Sequence, residues 1–413
     1  MERRVVVTGM GTINPLGINV SETWENALKG VSSVGPITSF DASDSTIRFA
    51  CEVKSFEPLR YMDARNVRRR DRFEQFAIAA TFEALKQANF SVLEESAGRV
   101  AVVVSTAVGG IKSLFEGIRS LLDSGPSKIS PFVVPKFIPN GASGMIALEI
   151  GAKGPCYSVA SACASGADSI GQAWSMIRSG IIDACIAGGS EATINSVGIN
   201  AFGRLRALSR RNDEYSRVPA PFDKDRDGLV MAEGSAVMVL EDLDHARKRG
   251  AEILAELVGY SATTDSYHIT APDESGAGGA AAITGALEAA SLRPDEVDYI
   301  NAHGTGTVLN DVAETRAIKA ALGEHAYKVP VSSTKSMTGH MMGATGALEA
   351  IFCVQAIRDD LIPPTINLTT PDPECDLDYV PNEARRHEVR VALNNAFGLG
   401  GHNAVLALRA FQD

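Results

Sequence analysis

The chain has 413 residues, 45% hydrophobic and 22% charged, with a formal net charge of −11, enough to bury a large core as two domains or one two-lobed body. The acidic balance disfavours non-specific binding to nucleic acid or an anionic membrane, and no apolar stretch approaches the ~18 to 20 residues that a membrane span needs. Six cysteines with no repeating spacing point to a reducing compartment rather than a disulfide framework.

Short β-branched runs alternate with helical patterns along the chain. Residues 4–9, RVVVTG, read as a buried strand. The opening basic residues precede an apolar run too short for a signal peptide, so a cytoplasmic location is expected. The strand runs into Gly9-x-Gly11, yet Asn14 stands where a dinucleotide fingerprint needs its third glycine, and Pro15 follows. Ser21 can cap the helix ETWENALKG, which stops at Gly30. The stretch ARNVRRRDR, residues 64–72, is locally basic. It leads into RFEQFAIAATFEALKQA, which places Phe73, Phe76, Ala77, Ala80 and Ala84 on one helical face. A strand follows at 99–105.

In YSVASACASGADSIGQA, residues 157–173, Cys163 falls between a strand end and a helix. A lone cysteine among small residues reads first as core. At a helix N-terminus, however, free N–H groups and the helix dipole favour its thiolate, and Gly166 permits close approach of another segment or a ligand. Residues 183–189 form the next strand. The run DKDRDGLVMAEG, residues 223–234, lacks the ligand series and final glutamate of a calcium loop, so it reads as a solvated or hydrogen-bonded turn.

The helical pattern GGAAAITGALEAASL precedes a strand at 296–303 that ends on His303, in NAHGTGT; VAETRAIKAALG is again helical. After the strand at 328–334 comes SSTKSMTGHMMGATGALEA, with Lys335 behind the strand and His340 before a helix. A glycine-dense loop, NNAFGLGGHN, closes the series at 394–403. The alternation predicts an α/β fold with mostly parallel strands, whose carboxyl ends gather Cys163, His303 and His340. His245, His325 and His387 read as surface residues. With no CxxC pair or HExxH motif, no metal site is signalled.

These motifs, in this order, resemble the β-ketoacyl-acyl-carrier-protein synthases, the condensing enzymes of dissociated fatty-acid synthesis, and within them the long-chain type. The resemblance spans essentially the whole chain, from VVVTGMG to FGLGGHN, and includes RPDEVDYINAHGTGT, VSSTKSMTGH and IPPTINL. It implies a thiolase-like, five-layered α-β-α-β-α sandwich of two similar halves: residues 1–250 with the nucleophilic cysteine, residues 251–413 with the two histidines and a gating loop. Cys163 would take the acyl group, with the backbone N–H groups of Cys163 and Leu399 as oxyanion hole. His303 and His340 would hydrogen-bond the malonyl thioester during decarboxylation. Lys335 would stand behind them, supported by Asp311 and Glu349. Val108 and Phe202 would line the acyl pocket, with Thr270, Thr305 and Thr307 along the pocket and pantetheine path.

The resemblance further implies a homodimer that docks acyl carrier protein on Arg65, Arg68, Arg69, Lys128 and Arg206, with Arg70 and Arg72 left as a solvated helix start. Substrates would arrive on the carrier's phosphopantetheine, with no cofactor or metal required; a monovalent cation near Asn301 and Asn395 is left open. The family's usual gate motif is FGFGG, and Leu399 replaces its second phenylalanine, so a looser gate is expected. Thiolases use a second cysteine that FGLGGHN lacks. Type III synthases pair cysteine with one histidine and an asparagine, whereas His340 stands here. A type II polyketide ketosynthase and a non-catalytic partner keeping the fold are the alternatives.

Overall fold

Nine residues in a row are buried in β1 (Val5–Ile13), as expected of a strand covered on both faces. The computed structural model describes residues 3–412. After β1 come helices α1 (Val20–Leu28), α2 (Ala64–Arg69) and α3 (Arg72–Ala88), strand β2 (Val100–Ser105), and helices α4 (Ile111–Ser124) and α5 (Gly141–Ile150). The edge strand β3 (Cys156–Tyr157), helix α6 (Ser165–Arg178), β4 (Ala184–Glu191) and β5 (Gly234–Asp242) complete a first set. A second set runs β6 (Ala255–Thr264), α7 (Ala277–Ala290), β7 (Tyr299–Asn301), α8 (Val308–Leu322), β8 (Val331–Ser332), α9 (Thr345–Asp359), β9 (Val391–Gly398) and β10 (His402–Arg409).

Hydrogen bonding orders the strands β3-β2-β4-β5-β1 and β8-β7-β9-β10-β6, the same order twice. The sets join where Val5–Val7 of β1 pair antiparallel with residues 255–257 of β6, making one ten-stranded sheet. Helices α6 and α9 pack on each other and on strands of both sets, while α3 and α5 cover one outer face and α7 lies on the other, with α8 packed against it. The result is five layers, α-β-α-β-α.

Two expectations change. The strands are mixed, not mostly parallel: β2 runs parallel to β3 and β4, and β7 to β8 and β9, while the other five pairings are antiparallel. Helix–strand alternation cannot reveal that β5 and β10 return antiparallel beside β4 and β9. Asn19, not Ser21, caps α1: its extended backbone (φ −160°) stands outside the helix and its side chain accepts from Glu22 N at 2.8 Å.

The Gly-x-Gly of β1 serves packing. A Cβ on Gly11 would lie 1.9 Å from the Ala80 carbonyl oxygen, and one on Gly9 2.2 Å from that of Ala84. In the second set Gly259 repeats the contact, 2.3 Å from Ala286 O. The 223–234 segment is a hydrogen-bonded turn, with Asp223 accepting from the backbone N–H groups of Asp225, Thr369 and Thr370.

Candidate active site

Cys163 sits in a tight turn, Ala162–Ala164, at the head of α6. Ala162 is left-handed (φ 51°), a conformation a non-glycine residue holds only when its neighbours enforce it. Ser165 Oγ does so from within, accepting from Ser161 N at 3.0 Å and donating to Ala162 O at 2.7 Å. The second set repeats the turn at Met342–Ala344 before α9, with Met342 at φ 46°. There, however, Gly343 occupies the place of Cys163. The approach that Gly166 permits is to this twin: its Cβ would lie 2.7 Å from Gly343 O.

The preformed thiolate expected at this helix start is not supported. Burial pushes the Cys163 thiol up to about 11, outweighing a hydrogen bond from the Leu399 N–H and the charge of Lys335. Gly398 lets the glycine loop lie on the nucleophile turn, since a Cβ there would come 3.0 Å from Cys163 N. The backbone N–H groups of Cys163 and Leu399 thus flank the sulfur.

His303 follows β7, and its loop is fixed by Glu314 of α8. The carboxylate accepts from His303 N at 2.8 Å, Gly304 N at 2.7 Å and Asn395 Nδ2 at 3.1 Å. His340 accepts or donates at Nδ1 with Thr345 Oγ1, 2.9 Å away, and its backbone N–H donates to Val230 O at 2.7 Å. The two rings stand edge to face, centroids 5.4 Å apart. Both imidazoles are held well below the ordinary histidine value, first by burial and then by the Lys335 charge, so both are neutral near pH 7. His303 Nδ1 and His340 Nε2 have no hydrogen-bond partner among the described residues. Lys335, 1% exposed, pairs with the equally buried Glu349 of α9. Burial raises the Glu349 carboxyl to about 8 despite that pairing.

A cavity of about 330 Å³ brings Cys163, His303, His340 and Leu399 together. Phe202, Thr305 and Thr307 line its wall, and Thr270 and Arg206 its exposed mouth. Asp311 stays behind it, accepting from Phe222 N and Gly306 N and lying 3.6 Å from Arg226 Nε, so it braces the loop that carries Thr305 and Thr307. Val108, half-buried in the loop after β2, is not among the residues that line this cavity. Glu191 binds Thr106 Oγ1 and Ala107 N, and Thr106 Oγ1 accepts from Gly109 N, which fixes the loop after β2 that carries Val108.

Arg65, Arg68 and Lys128 are exposed, and Arg69 lies over the Phe132 ring at 4.7 Å. Arg70 and Arg72 are not a solvated helix start: Arg70 is buried against Glu149, and Arg72 grips both oxygens of Glu233 at 2.7 and 2.9 Å. Nor are His245 and His325 plain surface residues; both are half-buried and bonded, to Glu241 and Val297 O, each at 2.7 Å. All six cysteines are free. Asn301 Oδ1 and Asn395 Oδ1 are buried without partners, and no cluster of three or more His, Cys, Asp or Glu that could hold a metal occurs among the described residues.

Glu314 and Glu191 escaped the sequence reading. The available signal was a glutamate placed in the apolar stripe of its helix, beside Ala313, Ala317 and Ile318, and another ending the buried β4.

Comparison with known proteins matches residues 2–246 to the family described as Beta-ketoacyl synthase, N-terminal domain, and residues 254–369 to Beta-ketoacyl synthase, C-terminal domain. A Synechocystis sp. protein named 3-oxoacyl-[acyl-carrier-protein] synthase 2 is 50% identical over 411 residues, covering 100% of this chain and 99% of the relative. A Staphylococcus aureus protein of the same name is 46% identical over 410 residues, covering 99% of each. Among solved structures, a beta-ketoacyl synthase from Burkholderia phymatum superposes with a TM-score of 0.92 at 36% identity, over 99% of this chain and 100% of that one. A type II polyketide acyl-carrier protein in complex with its ketosynthase matches at 0.92 and 34%, over all of both chains.

Proposed function

The chain belongs to the β-ketoacyl synthase family, and from that membership we infer that it performs the decarboxylating condensation of fatty-acid elongation, joining an acyl group to malonyl-acyl-carrier protein. The observation that carries this reading is one cavity holding a cysteine, two neutral histidines and a pair of backbone N–H groups at the sulfur.

The Cys163 sulfur attacks the thioester carbonyl of an acyl group on carrier protein. The oxyanion is met by the N–H groups of Cys163 and Leu399, donors that need no reorganisation. The carrier thiol leaves with the proton from Cys163. Malonyl-carrier protein then binds, and its thioester oxygen takes hydrogen bonds from His303 and His340. As carbon dioxide departs, the electron pair of the broken C–C bond becomes an enolate, which neutral donors stabilise without capturing its charge as a proton. The enolate carbon attacks the acyl-cysteine, the C–S bond breaks, the departing Cys163 thiolate takes a proton from water, and a β-ketoacyl chain two carbons longer is released on carrier protein. Lys335 and Glu349 hold the floor beneath the histidines.

In this reading residues 1–250 supply the nucleophile and residues 251–413 the histidines and gate, without a resident cofactor. Acyl carrier protein, an acidic partner, docks on Arg65, Arg68, Arg69, Lys128 and Arg206 by charge complementarity. A second copy pairs through the β3 edge and α4, where Tyr157, Leu114, Ile118, Leu121 and Leu122 are exposed; unpaired strand edges and apolar faces of this kind are expected to be covered. No helix of the described residues is long and apolar enough to cross a membrane, in keeping with work in the cytoplasm.

Intact-protein mass after brief incubation with hexadecenoyl-carrier protein tests the reading. An acyl adduct is expected on wild type and not on Cys163→Ala. Acylation by polyketide starters with no adduct from any fatty acyl carrier would move the chain to polyketide synthesis. No adduct from either would remove the catalytic assignment.

A further inference from the structure

The nucleophile turn is anchored by a carboxylate that the condensation does not use. Asp168, on the first turn of α6 and 7% exposed, accepts a hydrogen bond from Ser161 Oγ on one oxygen and from the Tyr260 hydroxyl, 2.8 Å away, on the other. Ser161 is two residues before Cys163, and its carbonyl takes the N–H of Ala164 at 3.1 Å. The bond from Ser161 to Asp168 therefore clamps the segment that contains the left-handed Ala162.

Tyr260 comes from β6, in the other half of the fold. Its ring lies on α6 where Gly171 leaves room, since a Cβ at Gly171 would sit 2.3 Å from the ring carbons. The same turn supports the gate loop, for a Cβ on Gly398 would be 2.9 Å from Ser161 O. Burial raises the Asp168 carboxyl, while the two hydroxyls and the nearby His402 draw it back down. One buried group thus joins the turn, the helix and the opposite half of the molecule.

We propose that Asp168 is a positioning residue for Cys163: held between Ser161 and Tyr260, its carboxylate keeps the turn in the shape that sets the thiol against the Leu399 N–H. This rests on Cys163 being the acyl acceptor. Asp168 lies outside the cavity and touches no substrate. Its removal should therefore lower the rate of acylation and leave the KM for acyl-carrier protein unchanged.

The test compares wild type with Asp168→Ala, Asp168→Asn, Ser161→Ala and Tyr260→Phe in single-turnover acylation, alongside decarboxylation of malonyl-carrier protein, which the histidines carry without the sulfur. Asp168→Ala is expected to slow acylation about 10- to 100-fold, the scale of effect of misplacing a reacting group, with decarboxylation unchanged. Asparagine keeps the shape, with one hydroxyl still donating to its Oδ1 and the other turning to accept from its Nδ2, so it should restore acylation to within about threefold of wild type. Ser161→Ala and Tyr260→Phe each remove one anchor, should fall between, and give the answer if Asp168→Ala does not fold. Acylation at the wild-type rate in the anchor variants would overturn the proposal. So would a parallel fall in decarboxylation, which marks a general structural defect. If wild type itself forms no adduct, the acyl-acceptor reading fails separately, and the relative rates of Cys163 alkylation by iodoacetamide still decide whether Asp168 sets the thiol.

Discussion

A thiol raised to about 11 is almost wholly protonated at neutral pH, so Cys163 becomes reactive only as it loses its proton. Alkylation by iodoacetamide should accelerate about tenfold per pH unit from 7 upwards, as the thiolate fraction grows below that value; a plateau beginning near pH 7 would contradict it. The histidines move the other way. Both are held well below the ordinary value, so malonyl decarboxylation should be flat from pH 6.5 to 8.5, with no acid limb in that range. Leu399 gives a third prediction. As the proposed gate, leucine presents less surface than phenylalanine would, so Leu399→Phe should cut unprimed malonyl decarboxylation severalfold and narrow the range of product lengths, both read by chromatography of the products. The sequence makes the cavity residues legible because cysteine, histidine and clustered glycines are chemically conspicuous. Glu314, Glu191 and Asp168 are not, because a buried carboxylate serving backbone or hydroxyl groups looks in sequence like any helical or strand-end acid. The loop that carries Val108 is held in a way that is equally hard to read from sequence, because Ala107 N donates to Glu191, 84 residues further on.

At the scale of elements, periodicity locates α3 and α6 well, because their apolar faces are continuous; α3 is also closed by an Asp71–Glu74 capping box and a left-handed Asn89. Strand direction is not encoded in this way. An apolar run of six to nine residues reads the same for a parallel or an antiparallel neighbour, and only the returning strands β5 and β10 decide it. The contact between β1 and α3 is similarly hidden, since Gly9 and Gly11 resemble a nucleotide motif until the helix is laid across them. Gly11→Ala places a methyl 1.9 Å from a backbone oxygen that cannot step aside. A destabilisation of about 3 kcal/mol or loss of soluble protein is expected, at the upper end for overpacking, measured by denaturant unfolding. A change below about 0.5 kcal/mol would show that α3 can slide away from the sheet.

For the whole molecule, the duplication is invisible as a repeat of letters and plain as a repeat of strand order. The halves share a path through space while their side chains have diverged. Surface charge also acts at this scale. A net charge of −11 repels an acidic partner from most directions, so the exposed Arg65 and Arg68 should matter through long-range attraction. Reversing both to Glu should raise the KM for carrier-bound substrates at least tenfold at low salt and leave small thioester mimics unaffected; equal effects on both substrates would show that α2 has no part in docking. The twin turns at Cys163 and Gly343 differ in the room around them. A Cβ on Gly343 would meet Ala107 N at 2.4 Å, with Glu191 close behind. The ground a second sulfur would occupy has been filled by the loop after β2. The two halves are therefore not interchangeable at this turn: one carries the sulfur, and any side chain at Gly343 would require the loop after β2 to move.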